Sequence, residues 1–213
     1  SNVNINKEGY DESEQIIDKN LNALEPNEIE KKLINEDITI LDVRGADEFA
    51  NSHIPGSIFI GLDGRFAPWV GEILEDVFKQ MILIVPNGRE KEAVLRLSRV
   101  GFDNVLGYLK GGIQNWIDSG KQITKVENEP ALNFSDHNLK QIKNILDVRS
   151  KSEYSSESLE KSLNIPLPEL IHSLNKVNFN DKFYVHCKGG YRSMIAASIL
   201  LSKGISKFSN IPG

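Results

Sequence analysis

A pentapeptide occurs twice in this chain, and that recurrence limits the possible folds more than any other feature. Ile40-Leu41-Asp42-Val43-Arg44 returns as Ile145-Leu146-Asp147-Val148-Arg149, at an offset of 105. The same offset aligns Glu48 with Glu153, Phe49 with Tyr154, Ser57 with Ser162 and Ile60 with Ile165. Further on, Ile82-Leu83-Ile84-Val85 aligns with Phe183-Tyr184-Val185-His186, and the run Ser98 to Phe102 with Leu201 to Ile205. The offset drifts by only a few residues, as loop-length changes between two copies of one domain would produce. A period this long means duplicated domains rather than a solenoid, and 213 residues suffice for two small ones.

Each copy alternates strand and helix patterns. In the first, Ile38 to Val43, Ser57 to Ile60, Met81 to Val85 and Val105 to Leu109 are strands. Ala46 to Asn51, Lys91 to Val100 and Ile113 to Ser119 are helices, the last two stopped by Gly101 and Gly120. The second copy runs through Asn144 to Val148, Lys151 to Ser156, Ser162 to Ile165, Leu167 to Leu174, Lys182 to His186, Arg192 to Lys203 and Lys207 to Ser209. Such alternation predicts an α/β fold: two tandem domains, each a mainly parallel sheet flanked by helices. Sites in such sheets lie at the C-terminal ends of the strands. The expected boundaries are a linker or expression remnant over 1–20, a first domain over 21–124, a polar linker with Pro130 over 125–135, and a second domain over 136–213. The second copy stops at Pro212-Gly213, where the first continues into a glycine pair and a helix, so a truncated C-terminus is expected. The chain opens Ser1-Asn2, without methionine, and is expected to be an excerpt of a longer protein.

Val185-His186-Cys187-Lys188-Gly189-Gly190-Tyr191-Arg192-Ser193 holds the only cysteine in the chain. It follows an apolar strand and precedes a helical pattern, so the thiol is placed where helix N-termini and exposed N–H groups favour a thiolate. Gly189 and Gly190 let the backbone curl so that successive N–H groups form an anion cradle. One cysteine excludes an intrachain disulfide framework and fits a reducing, cytoplasmic compartment. A net charge of -5 without a basic block makes nucleic acid an unexpected partner. Four scattered histidines form no zinc-type cluster, so no metal or other cofactor is expected. No run reaches the length of a membrane span.

Several segments together carry a family resemblance. They are the repeated Asp-Val-Arg, His53-Ile54-Pro55-Gly56-Ser57, the closing Lys110-Gly111-Gly112-Ile113-Gln114-Asn115-Trp116, and the cysteine loop. The chain resembles the rhodanese (sulfurtransferase) family from about Leu21 onward. Gly61 to Val70 and His186 to Met194 are similar to the tandem rhodanese region of bacterial proteins that carry an N-terminal metallo-β-lactamase-like persulfide dioxygenase domain. The resemblance implies a sulfurtransferase. It would move a sulfane sulfur from thiosulfate or a low-molecular-weight persulfide to a thiol or cyanide-like acceptor, through a persulfide on Cys187. The N–H groups of Lys188 to Arg192 are expected to stabilise the sulfur. Lys188 would add charge for an anionic donor, Tyr191 would line the pocket mouth, Arg192 would brace the loop or the substrate, and Ser193 would cap the helix. An upstream dioxygenase domain or a partner protein is the expected associate.

Asp147, Arg149 and Glu153 are expected to form a structural ion-pair network around the arginine, because Asp42, Arg44 and Glu48 recur in the copy without cysteine. His186, adjacent to the cysteine on a strand, points away from it. Trp69 and Trp116 are expected in the core or an interface, and Arg65 to Val70 as a contact surface. The first copy offers Pro86 to Lys91 where the second has its cysteine loop, so it is expected to be silent, with all activity in the C-terminal piece. Two alternatives stand beside the transferase. One is an interaction or scaffold module of a larger sulfur-metabolism protein. The other is a cysteine phosphatase or arsenate reductase, whose loop has five residues between Cys and Arg where this one has four.

Overall fold

The computed structural model describes residues 19–130 and 144–213, together with Gln15, Ile17 and Asn133. Most of the expected N-terminal linker, the end of the 125–135 linker and the first residues of the second expected domain lie outside the described residues. In chain order the elements of the first repeat are β1 (Ala23–Leu24), α1 (Pro26–Asn35), β2 (Thr39–Asp42), α2 (Ala46–Asn51), β3 (Ile58–Phe59), α3 (Phe66–Ile73), β4 (Met81–Ile84), α4 (Glu90–Ser98), β5 (Val105–Leu109) and α5 (Gly112–Asp118). Those of the second are β6 (Ile145–Asp147), α6 (Lys151–Ser156), β7 (Ser162–Asn164), two 3₁₀ turns (Leu167–Glu169 and Leu174–Lys176), β8 (Phe183–His186), α7 (Tyr191–Ser202) and β9 (Phe208–Ile211).

The first sheet has the order β1-β5-β4-β2-β3 and the second β7-β6-β8-β9. The pairings of β1 with β5, β4 with β5, β2 with β4, and of β6, β8 and β9 with their neighbours are parallel. Two parallel-sheet α/β units with flanking helices are what the alternating pattern predicts. The central strand β4, Met-Ile-Leu-Ile, is buried at every position, as a parallel strand covered on both faces must be. α1 starts on Pro26, which has no N–H to leave unpaired in the first turn. α7 is buried without a break from Ser193 to Leu200, so it runs through the interior rather than along a surface.

Contacts divide the chain differently from the repeat. The first unit comprises the residues up to Arg44 with Leu62–Gln122; the second comprises Gly45–Gly61 with Ile123–Gly213. A segment of the first repeat is therefore built into the unit that carries the cysteine. Within that second unit, α7 packs on α2 and β3. Phe49, Ile54, Phe59 and Ile60 of the segment are all buried.

The described part of the expected linker is a bound strap. Thr124 and His53 exchange both backbone hydrogen bonds, and the Val126 N–H donates to Ala50 O at 2.9 Å. Beyond it, the Asn210 N–H donates to Glu127 O at 2.7 Å and the Glu129 N–H to Asn210 O at 2.8 Å. Polar composition concealed this, because the strap is held by its backbone and only Val126 is buried in its middle. Other differences are local. The Leu167–Leu174 element is two 3₁₀ turns, the first containing Pro168 and the second separated from it by residues 170–173, and the last strand runs to Ile211. Among the described residues, no helix is long and apolar enough to cross a membrane.

Candidate active site

Cys187 follows directly on β8, and α7 begins four residues later at Tyr191. Gly190 makes the turn into the helix with φ +78°, a left-handed conformation that favours glycine. The thiol is buried, with only 1% of the residue exposed. Ser193 N–H, in the first turn of α7, donates to Sγ at 3.3 Å, and the Ser193 hydroxyl donates to Gly190 O at 3.1 Å. Ser193 thus closes the loop twice, holding the sulfur with its backbone and the turn with its side chain. Lys188 and Gly189 are exposed. Gly189 has open space where a Cβ would stand and no left-handed φ, so of the two glycines only Gly190 is required by the backbone. The Pro212-Gly213 backbone lies against the loop: a side chain on Gly213 would collide with Gly189, and one on Gly190 would meet Gly213 N at 3.1 Å.

Two arginines near the loop have separate partners. Arg149 binds its own strand's Asp147, Nε to Oδ2 at 2.9 Å and Nη2 to Oδ2 at 2.6 Å, and donates from Nη2 to Glu157 O at 2.7 Å. Arg192 forms a bidentate pair with Glu153, Nη1 to Oε2 at 2.6 Å and Nη2 to Oε1 at 2.8 Å. Glu153 gives its hydrogen bonds to Arg192 and acts on Arg149 only through its charge, so it ties the start of α7 to the start of α6. Its second duty is local. Ser150 N–H and Oγ both donate to Glu153 Oε2, and Glu153 N–H returns to Ser150 Oγ, a capping box. The Arg192 hydrogen bonds, helped by Ser150, hold the Glu153 carboxyl well below the usual carboxylate range. Glu153 in turn raises the Arg192 guanidinium, and Asp147 raises that of Arg149. Burial pushes the His186 imidazole below its ordinary value; Asp147 opposes this, while Arg149 and Arg192 reinforce it.

Tyr191 is half-buried. Its hydroxyl donates to Gly61 O at 2.6 Å, and its ring meets Phe59 edge-on at 5.8 Å between centroids. Trp116 is in the core of the first unit, donating from Nε1 to Gln122 O at 2.8 Å, whereas Trp69 is half-buried. In α3, Phe66 and Val70 face inward and Arg65 and Pro68 are exposed.

Strand register changes the alignment of the two copies. Asp42 lies opposite Ile84, with Val43 N–H on Ile84 O at 2.9 Å; Asp147 lies opposite His186, with Val148 N–H on His186 O at 3.0 Å. Ile84 is therefore the counterpart of His186, and the place of Cys187 is taken by Val85. The apolar runs can slide by one residue without a sequence penalty, and the first copy's loop is one residue longer before its helix. Val85 lines a cavity of about 370 Å³ with Asn87, Glu90, Tyr108, Lys110 and Gly111. Glu90 Oε1 accepts from Gly88 N–H at 3.1 Å, so a carboxylate occupies this loop and no thiol does. Among the described residues, no group of three His, Cys, Asp or Glu side chains could hold a metal ion.

The rhodanese-like domain family is matched over residues 25–119 and again over 133–213. The Bacillus subtilis protein YrkF, named for a proposed role as a sulfur carrier, is 39% identical over 71 residues, covering 33% of this chain and 38% of its own length. Among solved structures, thiosulfate sulfurtransferase from Pseudomonas aeruginosa is 21% identical with a TM-score of 0.43, over 94% of this chain and 45% of its own. SseA from Escherichia coli, described as a 3-mercaptopyruvate sulfotransferase, is 16% identical with a TM-score of 0.42, over 90% of this chain and 97% of its own. The chain thus spans under half the length of both the curated relative and the Pseudomonas protein.

Proposed function

This chain belongs to the rhodanese-like domain family, and we propose that it is a sulfurtransferase working through a persulfide on Cys187. The observation that carries this is the Ser193 N–H on Sγ at the start of α7, which supports negative charge on the thiolate sulfur. With thiosulfate, the Cys187 thiolate attacks the outer, sulfane sulfur. A sulfur–sulfur bond forms to Cys187, the bond to the sulfonate sulfur breaks, and sulfite leaves with its electron pair. An acceptor thiolate then attacks the terminal sulfur of the persulfide, becomes a persulfide itself and restores the Cys187 thiolate. Charge and electrons balance without an external oxidant. A low-molecular-weight persulfide serves as donor by the same exchange, with its thiolate as leaving group; a fused or associated persulfide dioxygenase would act on the same class of compound.

Arg192 works as a strut in this scheme, because both its terminal nitrogens are committed to Glu153. Lys188 is the exposed cation beside the nucleophile and is free to meet an anionic donor. Mass spectrometry of the intact protein after incubation with thiosulfate or glutathione persulfide should show the gain of one sulfur atom, and Cys187→Ser should abolish it together with transfer. Transfer at the wild-type rate in that variant, or hydrolysis of aryl phosphates with no persulfide from any donor, would overturn the proposal.

A further inference from the structure

We propose that Tyr191 is a positioning residue for the Cys187 loop, acting through Gly61 and Phe59 of the cysteine-free repeat. The inference rests on the sulfur-transfer function above for its kinetic readout. Tyr191 is the first residue of α7 and stands two positions before Ser193, whose N–H holds Sγ. Its hydroxyl donates to Gly61 O at 2.6 Å and its ring is seated edge-on against Phe59. Phe59 is fully buried, and its own N–H donates to Ser198 Oγ at 3.0 Å. The β3 segment therefore grips α7 at Tyr191 and at Ser198. These positions are seven residues apart and so lie on one face, about two turns from each other. Two points along one face set both the roll and the axial position of a helix, and with them the placement of the Ser193 N–H on the sulfur. Arg192 fixes the same turn from the other side, through Glu153 on α6. A tyrosine in such a loop invites a substrate-binding role, but here the phenol is given to a main-chain carbonyl inside the second unit.

The test compares wild type with Tyr191→Phe, which keeps the ring and removes the hydrogen bond, and with Phe59→Leu, which loosens its seat. Three quantities are read well below each variant's melting temperature: kcat and KM with thiosulfate and a thiol acceptor, and the rate at which iodoacetamide alkylates the buried Cys187. Tyr191→Phe should lower kcat by about three- to tenfold, the range for one lost hydrogen bond, and leave KM for thiosulfate within about twofold. Alkylation should become faster, because a loosened loop exposes the thiol, so the two rates move in opposite directions. Phe59→Leu should likewise lower kcat and speed alkylation, and the double variant should fall short of the product of the singles. A raised KM at unchanged kcat would make Tyr191 a substrate contact and overturn the inference; unchanged kcat and unchanged alkylation would overturn it as well. If wild type transfers no sulfur from thiosulfate or glutathione persulfide, the functional proposal fails, and alkylation alone decides the positioning role: a wild-type rate in Tyr191→Phe rejects it.

Discussion

Glu153 shows how much one side chain can hold at the residue scale. It caps α6, pairs with Arg192 and so reaches the cysteine loop without touching the sulfur. Its folded pKa lies below its unfolded value, so its contribution is fully present above an unfolded pKa of about 4.3 and is lost as pH falls through the folded value. Glu153→Gln should therefore lower unfolding stability at pH 7 by about 1 kcal/mol, a figure that allows for a carboxylate one-third exposed. The gap to wild type should narrow as pH drops below about 4.3. Denaturant titrations of both proteins at pH 7 and pH 3 check this, and a gap that stays constant would place the stabilisation elsewhere. That Glu153 belongs near the arginines was legible in the sequence; its partnership with Arg192, thirty-nine residues away, was not, because no local pattern encodes it.

Among elements, the loop between β8 and α7 divides its glycines by duty. Gly190→Ala must place an L-residue at φ +78° and set its methyl against Gly213 N, which should cost about 1–2 kcal/mol of stability and reduce sulfur loading. Gly189→Ala meets open space in an ordinary conformation and should change stability by no more than about 0.5 kcal/mol. Paired denaturation and mass-spectrometric loading assays separate the two; equal losses would show that the loop is held differently. The strand-turn-helix order was readable from apolar periodicity and the position of the glycines. The strand register was not, since Ile82 to Val85 is apolar throughout and its alternation offers no frame, whereas hydrogen bonds from Val43 and Val148 define one. For the same reason Val85, not Pro86, was hidden as the counterpart of Cys187.

At the scale of the whole molecule, one segment of the first repeat is counted with the second unit, which the repeat does not announce. Duplication was plain from the two Asp-Val-Arg segments, but nothing in Gly45–Gly61 itself says that it belongs with the second unit, since its apolar residues would serve either core. A C-terminal piece beginning near Lys125 lacks Phe49, Ile54, Phe59 and Ile60, and leaves Tyr191 and Ser198 without their partners on Gly61 and Phe59. Each buried aromatic or aliphatic side chain is worth roughly 1.5–3 kcal/mol, so their loss together exceeds what a small domain can spare. That piece should show little cooperative unfolding by circular dichroism and little sulfur transfer, against the expectation that activity resides in it alone; a cooperatively folded, fully active piece would refute this. The segment also bears on how the protein is made. Gly45–Gly61 leaves the ribosome well before α7, whose buried face it covers, and at roughly 5–20 residues per second the wait is on the order of ten seconds. During that interval the nascent chain carries apolar side chains whose native partner has not yet been synthesised, and it can bury them against α7 only after that helix has emerged.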